Sequence, residues 1–169
     1  MDKKYKLTEE TINVNSRTLY RIEALKDFGN VRKGEKGGFI EKESNLSQNG
    51  DCWVYDNAKV YDDAIVLNDA SICDNAVVCG EAMVCNSAKV CTNAIVNDIA
   101  VVYGNAEIFG DAWVYGNAKV YGNAKVCDHA KVRDHAKVRD EAKVRDDVVV
   151  CDNAWVCDNA QVFGSAVVS

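Results

Sequence analysis

The chain contains no proline among its 169 residues. Every backbone N–H after the first residue is therefore free to donate to a β-sheet. The chain also lacks an apolar run long enough to cross a membrane, and its charged N-terminus lacks the apolar stretch of a signal peptide. These absences predict a cytoplasmic protein that has no membrane partner.

The sequence carries little positive charge for its size, with a formal net charge of −6. The first 50 residues hold 10 basic and 8 acidic side chains, and the remainder holds 10 basic and 18 acidic ones. An acidic chain has no general electrostatic attraction to nucleic acid or to anionic lipid. Nucleic acid is therefore an unlikely partner.

What the chain does have is a six-residue repeat. Every position divisible by six from Val54 to Val168 holds Val or Ile, which makes twenty successive hexads without a slip. Alanine stands two residues before each of them, except at Val148 and at Cys52. Gly, Asp or Asn follows two residues after, and these types tolerate the left-handed backbone of tight corners. Each hexad therefore predicts a short strand followed by a corner.

A single hexad cannot bury its own valine, so successive hexads must stack. Three strands and three corners close one triangular coil of 18 residues. The sequence predicts an all-β fold in which residues 51–169 form a parallel β-solenoid of nearly seven coils. At about 4.8 Å a rung, it would be roughly 32 Å tall. Apolar spacings of two and four exclude a helical face, and strands six residues apart do not suit a β-sandwich.

Residues 1–50 lack the hexad and predict a small β cap. Three segments alternate like short strands: Tyr5-Lys6-Leu7, Thr11-Ile12-Asn13-Val14 and Leu19-Tyr20-Arg21-Ile22. Asn15-Ser16 supplies a turn, and Gly34, Gly37 and Gly38 predict a loop before Phe39-Ile40. An uncovered first coil would expose unpaired N–H and C=O groups. We therefore expect the segment to fold over that coil.

A resemblance becomes specific in this segment. It is carried by the stretches Leu19–Phe28, Gly37–Ile40 and Asn45–Asp56. Together they resemble the start of the YdcK-like bacterial β-solenoid proteins, and the chain also looks like products of phage and prophage genomes. The resemblance implies a left-handed β-helix with an N-terminal cap. It implies no established activity and no catalytic residues.

Outward residues 18 apart should stack into rows on each face of the prism. Apolar side chains dominate parts of two such rows, where they form a candidate interface: Val77, Ile95, Trp113, Val149 and Val167 in one, and Met83, Val101 and Trp155 in the other. Exposed apolar stripes mark interfaces, although short branched side chains are also simply favoured on strands. We expect a homo-oligomer, either an end-to-end dimer through the C-terminal coil or a trimer.

Seven cysteines directly follow a core aliphatic residue and should point outward: Cys73, Cys79, Cys85, Cys91, Cys127, Cys151 and Cys157. Spacings of six place neighbours on different faces, which does not suit a tetrahedral zinc site. Cys73 and Cys91 alone would stack, at a Cβ separation that we expect to exceed what a disulfide favours. The pattern predicts reduced surface thiols and no metal site.

Five basic side chains in the late coils form a candidate anion-binding set: Arg133, Arg139, Arg145, His129 and His135. Both histidines occupy corners. Left-handed β-helix acyltransferases use a histidine as general base, but they also carry an inserted loop, and the hexads here run without an insertion. Alternating Asp residues also favour a plain, solvated, ion-paired surface for these coils.

No constellation in the sequence reaches the standard of a catalytic site, and none calls for a cofactor. The sequence favours a non-enzymatic binding or scaffold module that presents rigid faces to a protein partner, such as a host or defence factor in a phage setting. Two alternatives stay open. One is an acidic DNA mimic built from the corner Asp rows, and the other is an acyltransferase-like or nucleotide-sequestering oligomer.

Overall fold

A computed structural model describes residues 3–169 of the chain. Apart from one 3-10 turn at Glu43–Asn45, those residues contain strands, turns and corners only. None of the described segments is a helix able to cross a membrane. The fold is the all-β parallel solenoid of about seven coils that the hexads predict, and it is consistent with the left-handed coil that the resemblance implies.

The cap contributes three strands, β1 (Tyr5–Val14), β2 (Arg17–Ala24) and β3 (Lys36–Ile40). Twenty two-residue strands follow: β4 (Trp53–Val54), β5 (Lys59–Val60), β6 (Ile65–Val66), β7 (Ser71–Ile72), β8 (Val77–Val78), β9 (Met83–Val84), β10 (Lys89–Val90), β11 (Ile95–Val96), β12 (Val101–Val102), β13 (Glu107–Ile108), β14 (Trp113–Val114), β15 (Lys119–Val120), β16 (Lys125–Val126), β17 (Lys131–Val132), β18 (Lys137–Val138), β19 (Lys143–Val144), β20 (Val149–Val150), β21 (Trp155–Val156), β22 (Gln161–Val162) and β23 (Val167–Val168).

Three sheets form the sides of the prism. Sheet 1 runs β1-β2-β3-β5-β8-β11-β14-β17-β20-β23, sheet 2 runs β6-β9-β12-β15-β18-β21, and sheet 3 runs β4-β7-β10-β13-β16-β19-β22. Each solenoid strand pairs in parallel with the strand 18 residues away, as Ile95 does with Trp113 and Val96 with Val114. The predicted stacking of every third hexad is therefore confirmed.

The interior is a column of aliphatic side chains. Every sixth residue from Val54 to Val150 is fully buried, and so are the alanines from Ala58 to Ala142. At the last coil Val162 and Val168 are only half-buried and Ala166 is exposed, since β22 and β23 have a partner strand on one side only. Burying a valine contributes about 1.5–3 kcal/mol, so the column is the main source of stability.

The cap extends sheet 1 instead of lying across the coil as a separate layer. β1 and β2 form an antiparallel hairpin whose turn residues Asn15 and Ser16 have φ of 49° and 66°. Both values are positive, as a two-residue type I′ hairpin turn requires. β2 pairs with β3, and β3 pairs in parallel with β5, so Phe39 lies opposite Lys59. The same ladder thus continues from the hairpin into the solenoid.

Gly37 and Gly38 do not form the loop that the sequence predicted, because they lie inside strand β3. A Cβ atom on Gly37 would lie 2.5 Å from the carbonyl oxygen of Val54, and one on Gly38 would lie 2.5 Å from that of Ala58. Glycine is therefore required by the close approach of the cap to the first coil. Gly34, with φ of 86°, does lie in the preceding turn.

The cap closes the first end of the core with an aromatic cluster and a buried lysine. Phe28 and Tyr5 meet the buried Trp53 ring edge-on, at centroid distances of 5.3 and 6.1 Å. Lys4 Nζ donates to the carbonyl oxygens of Cys52 (2.9 Å) and Gly50 (3.1 Å), and burial lowers its pKa. These contacts satisfy backbone carbonyls that the first coil would otherwise bury unpaired.

The corners are held by carboxylates that bond to the next coil. Asp98 has φ of 56°, and its Oδ2 accepts the backbone N–H of Gly116 at 2.9 Å. Similar bonds, each from an Asp to the residue 18 positions on, recur at Asp62, Asp74, Asp128, Asp134, Asp140 and Asp146. The acidic corners are therefore part of the fold, since each one satisfies a backbone donor.

The cysteines differ from expectation at two places. Cys73 and Cys91 form a disulfide, so the expectation of reduced thiols is wrong for this pair. Their Cα atoms lie 4.7 Å apart because adjacent rungs are in register, and this separation is within the range that disulfides use. Cys151, expected at the surface, is buried. The other five thiols after a core residue are exposed or partly so, and Cys52 is buried in an alanine slot.

We predict that Asp98→Ala destabilises the protein by about 1–2 kcal/mol, because alanine loses the bond to Gly116 and tolerates the left-handed backbone poorly. Asp98→Asn is the matched control and should be nearly neutral. The equivalent Asn68 already adopts φ of 59° and accepts the N–H of Asn86. Urea unfolding measures both variants. Equal losses for alanine and asparagine would contradict the capping role.

We predict that purified protein kept under non-reducing conditions lacks two free thiols. The Cys73–Cys91 bond closes one coil, so its reduction should cost about 3 kcal/mol of unfolding free energy. Cys73→Ala should remove this sensitivity to reductant, whereas Cys85→Ala should keep it. Intact mass before and after alkylation, together with urea unfolding with and without reductant, makes the measurement. Recovery of all eight cysteines as free thiols would show that the bond does not form.

Candidate functional site

The outward side chains of sheet 1 form one apolar row between two lysines. Val77, Ile95 and Trp113 occupy consecutive rungs, with Lys59 before them and Lys131 after them. Val77 and Ile95 are half-buried, and Trp113 is 45% exposed. Val149 and Val167 continue the row beyond Lys131, and Val167 is 67% exposed. The structure thus brings together the sheet 1 residues that the sequence selected.

A groove of about 460 Å³ lies along this row, beside the turn of the cap hairpin; we name it the sheet 1 groove. Its apolar floor is Val77, Ile95 and Trp113, and its rim includes Tyr61 and Arg17. Arg17 contributes no free charge, because it pairs with Glu41 at 3.3 Å and with Asp62. The groove is therefore suited to an apolar ligand surface with a polar edge.

The sheet 1 groove holds no activated nucleophile. Burial raises the pKa of Tyr61 to about 12 and also raises the pKa of Cys79, so both groups stay protonated at neutral pH. A thiol becomes reactive only when its pKa is lowered. The chemistry available in this groove is therefore binding through apolar contact and hydrogen bonds.

The outward row of sheet 2 changes character along its length. It begins with Ile65, Met83 and Val101 and ends with Lys119, Lys137 and Trp155. Lys119 lies directly opposite Lys137, and Lys137 lies opposite Trp155. The tryptophan ring is 54% exposed. The sheet 2 interface candidates therefore do not form one apolar stripe, because two lysines separate Val101 from Trp155.

A second groove of about 450 Å³ lies beside the late part of this row; we name it the sheet 2 groove. Its strand side is Lys119, Lys137 and Trp155. Its corner side is a stacked row of residues at intervals of 18: Ile99, Asn117, His135 and Asn153. The lysines and His135 were each visible in the sequence. Their meeting with Trp155 in one groove was missed, although the interval of 18 could have shown it.

The candidate anion-binding set does not come together. Arg133, Arg139 and Arg145 follow strands of sheets 1, 2 and 3 in turn, so they stand at three different corners. Arg133 bonds to Asp134 at 2.6 Å, and Arg139 bonds to Asp140 at 3.0 Å. Arg145 lies over the Phe163 ring, 5.1 Å from its centroid.

The two histidines also occupy different corners. His129 Nδ1 lies 3.7 Å from Asp111, whereas His135 lines the sheet 2 groove. Of the five residues in the set, His135 alone therefore shares a groove with lysines. No pair of these side chains has the geometry of a nucleophile and its general base.

Three clusters hold ligand atoms within 4.8 Å of one another: Cys73 with Asp74 and Cys91, Asp134 with Cys151 and Asp152, and Asp140 with Cys157 and Asp158. The first has both thiols in the disulfide. In the other two, an arginine and the next coil's N–H already occupy one Asp. The pKa of Cys151 is raised by burial, and a hydrogen bond to Asp158 raises that of Cys157. These arrangements disfavour the thiolates that a metal would need.

Comparison with known proteins gives a short stretch of similarity. No protein-family model matches the chain. Among curated proteins, the uncharacterized acetyltransferase YdcK of Escherichia coli (strain K12) is 47% identical over 38 residues. That stretch is 22% of this chain and 12% of YdcK, so it spans about an eighth of the relative. The chain is therefore a hexapeptide-repeat β-solenoid that is similar to YdcK over part of its length.

Proposed function

We propose that the chain is a non-enzymatic binding scaffold that presents the sheet 1 row to a protein partner, in the first place to a second copy of itself. The observation that carries this proposal is the run of Val77, Ile95 and Trp113 on three consecutive rungs beside an apolar groove. A large exposed aromatic residue among branched aliphatic ones is typical of the centre of an interface.

The rigidity of the prism favours binding by this row. Each rung is tied to the next by backbone hydrogen bonds, such as Ile95 N–H to Ala112 at 2.9 Å and Trp113 N–H to Ala130 at 2.9 Å. The three side chains are therefore held at a fixed spacing before any partner arrives. A surface that is already ordered loses little conformational entropy on association.

The likeness to phage-encoded chains extends the proposal to a second kind of partner. In that setting the rigid faces would engage a host protein or a defence factor. The row on sheet 1 offers such a partner the same apolar centre and the same flanking lysines, Lys59 and Lys131, that a second copy would meet.

Two other functions have less support. A DNA mimic needs corner carboxylates that are free to stand in for phosphates, yet many of the corner Asp side chains accept backbone N–H groups of the next coil. An acyltransferase needs a positioned general base, and the residues around His129 and His135 provide no partner nucleophile or oxyanion donor pair. YdcK's printed description as an acetyltransferase concerns that protein.

We predict that the wild-type protein self-associates in light scattering and native mass spectrometry across a protein concentration series. Trp113→Glu should shift it to monomer by at least about tenfold in dissociation constant, because a carboxylate would be desolvated in the apolar centre. Lys89→Glu on sheet 3 is the matched control, as it introduces the same side chain at an exposed strand position. It should leave association unchanged.

The outcome separates the two kinds of partner. A wild-type protein that stays monomeric at the highest concentration would disprove self-association through sheet 1. Immobilised protein would then be offered host lysate, and a stoichiometric protein captured by wild type and by Lys89→Glu but lost with Trp113→Glu would support the scaffold proposal. Equal capture by all three proteins would contradict it.

A further inference from the structure

The sheet 2 groove concentrates positive charge on an acidic protein. Lys119 and Lys137 lie opposite each other on adjacent rungs, which stand about 4.8 Å apart. Among residues 3–169, neither ammonium group pairs with a carboxylate, although Lys125 pairs with Glu107 at 3.0 Å on sheet 3. Two like charges at this spacing repel each other, so an anion between them would be stabilised.

The corner side of the groove adds neutral or cationic donors and no carboxylate. Asn117, His135 and Asn153 stack there at intervals of 18. The nearest acidic residues in the chain are engaged elsewhere. Asp134 bonds to Arg133 and to the N–H of Asp152, and Asp98 bonds to the N–H of Gly116. An anion in the groove would therefore meet hydrogen-bond donors on both sides.

An exposed aromatic ring lies at the same place. Trp155 is more than half exposed, and Lys137 Nζ stands 4.2 Å from its ring centroid. Arg139 stands 5.4 Å from the same centroid, held by Asp140. A broad indole surface of this kind is a platform on which a planar ring can stack. The groove thus combines a stacking surface with a pair of unneutralised cations.

The two grooves of the molecule differ in chemistry although they are similar in size. The sheet 1 groove has its arginine neutralised by Glu41 and Asp62, whereas the sheet 2 groove has two free ammonium groups. Its volume of about 450 Å³ falls within the range of small-ligand sites. The expected occupant is therefore a small molecule that carries both a phosphate group and a planar ring.

We propose that the sheet 2 groove binds a nucleoside phosphate, with the ring stacked on Trp155 and the phosphate held between Lys119 and Lys137. This activity goes beyond the scaffold function, since it uses a different face and a different chemistry. His135 and Asn117 would donate hydrogen bonds to the phosphate or the sugar. The binding requires no covalent step.

The test measures the binding of ATP, AMP, adenosine and tripolyphosphate to the full chain by titration calorimetry. AMP and ATP should bind, ATP more tightly, and adenosine should bind at least about tenfold more weakly than AMP, since phosphate contacts are charge-assisted. Tripolyphosphate should also bind more weakly than ATP, because it lacks a ring to stack. Absence of binding by ATP at millimolar concentration would overturn the proposal.

Variants locate the site. Lys119→Gln/Lys137→Gln should weaken ATP binding by at least about tenfold, and Trp155→Ala by about 5- to 100-fold. Trp113→Ala is the matched control, since it removes a similarly exposed tryptophan from sheet 1 and should leave the affinity unchanged. Circular dichroism and thermal unfolding check that each variant stays folded. An affinity unaltered by the lysine and Trp155 substitutions, or lowered equally by Trp113→Ala, would overturn the assignment.

A further arm separates a small ligand from a polymer. Single-stranded oligonucleotides of increasing length should bind no more tightly per site than AMP if the groove is a mononucleotide site. An affinity that rises steeply with length and falls steeply with salt would instead show a nucleic-acid surface, and the small-ligand proposal would then be wrong.

Discussion

The inward column of valine and isoleucine at every sixth residue constrains the rest of the structure. Each of these side chains can be buried only if three hexads close a rung and the next rung covers it. From Val54 to Val150 every member of the column is fully buried. The backbone ladder, the acidic corners and the in-register rows are consequences of that stacking, because none of them exists in a single isolated hexad.

A fixed repeat of 18 residues separates stability from surface chemistry. The core uses two positions of each hexad, and the corner uses one residue with a left-handed backbone. The remaining outward positions can change without altering the core. Sheet 1 can therefore carry Val77, Ile95 and Trp113 while sheet 2 carries Lys119, Lys137 and Trp155 on the same scaffold. Two grooves of similar size thereby acquire different ligand preferences.

The sequence predicted the features that depend on this repeat and missed those that depend on side-chain placement. Columns, rows and the Asn15-Ser16 turn follow from period and turn chemistry, and all are present. The buried Cys151, the Cys73–Cys91 bond and the strand position of Gly37 follow instead from close contacts between coils or between cap and coil. The sheet 2 groove combines both kinds of feature, because its residues lie at intervals of 18 but its depth is set by how they lean.

Net charge is a poor guide to what this protein binds, because its negative charges are largely structural. Asp98, Asp128 and Asp140 each hold a backbone N–H of the next coil, so their carboxylates are directed along the corners. The flat faces between the corners are then left to lysines, tryptophans and aliphatic residues. A long-range field that is negative overall can thus coexist with a local cationic groove on sheet 2. Binding would be decided within the few ångströms over which the groove's own charges dominate, since salt screens the more distant ones.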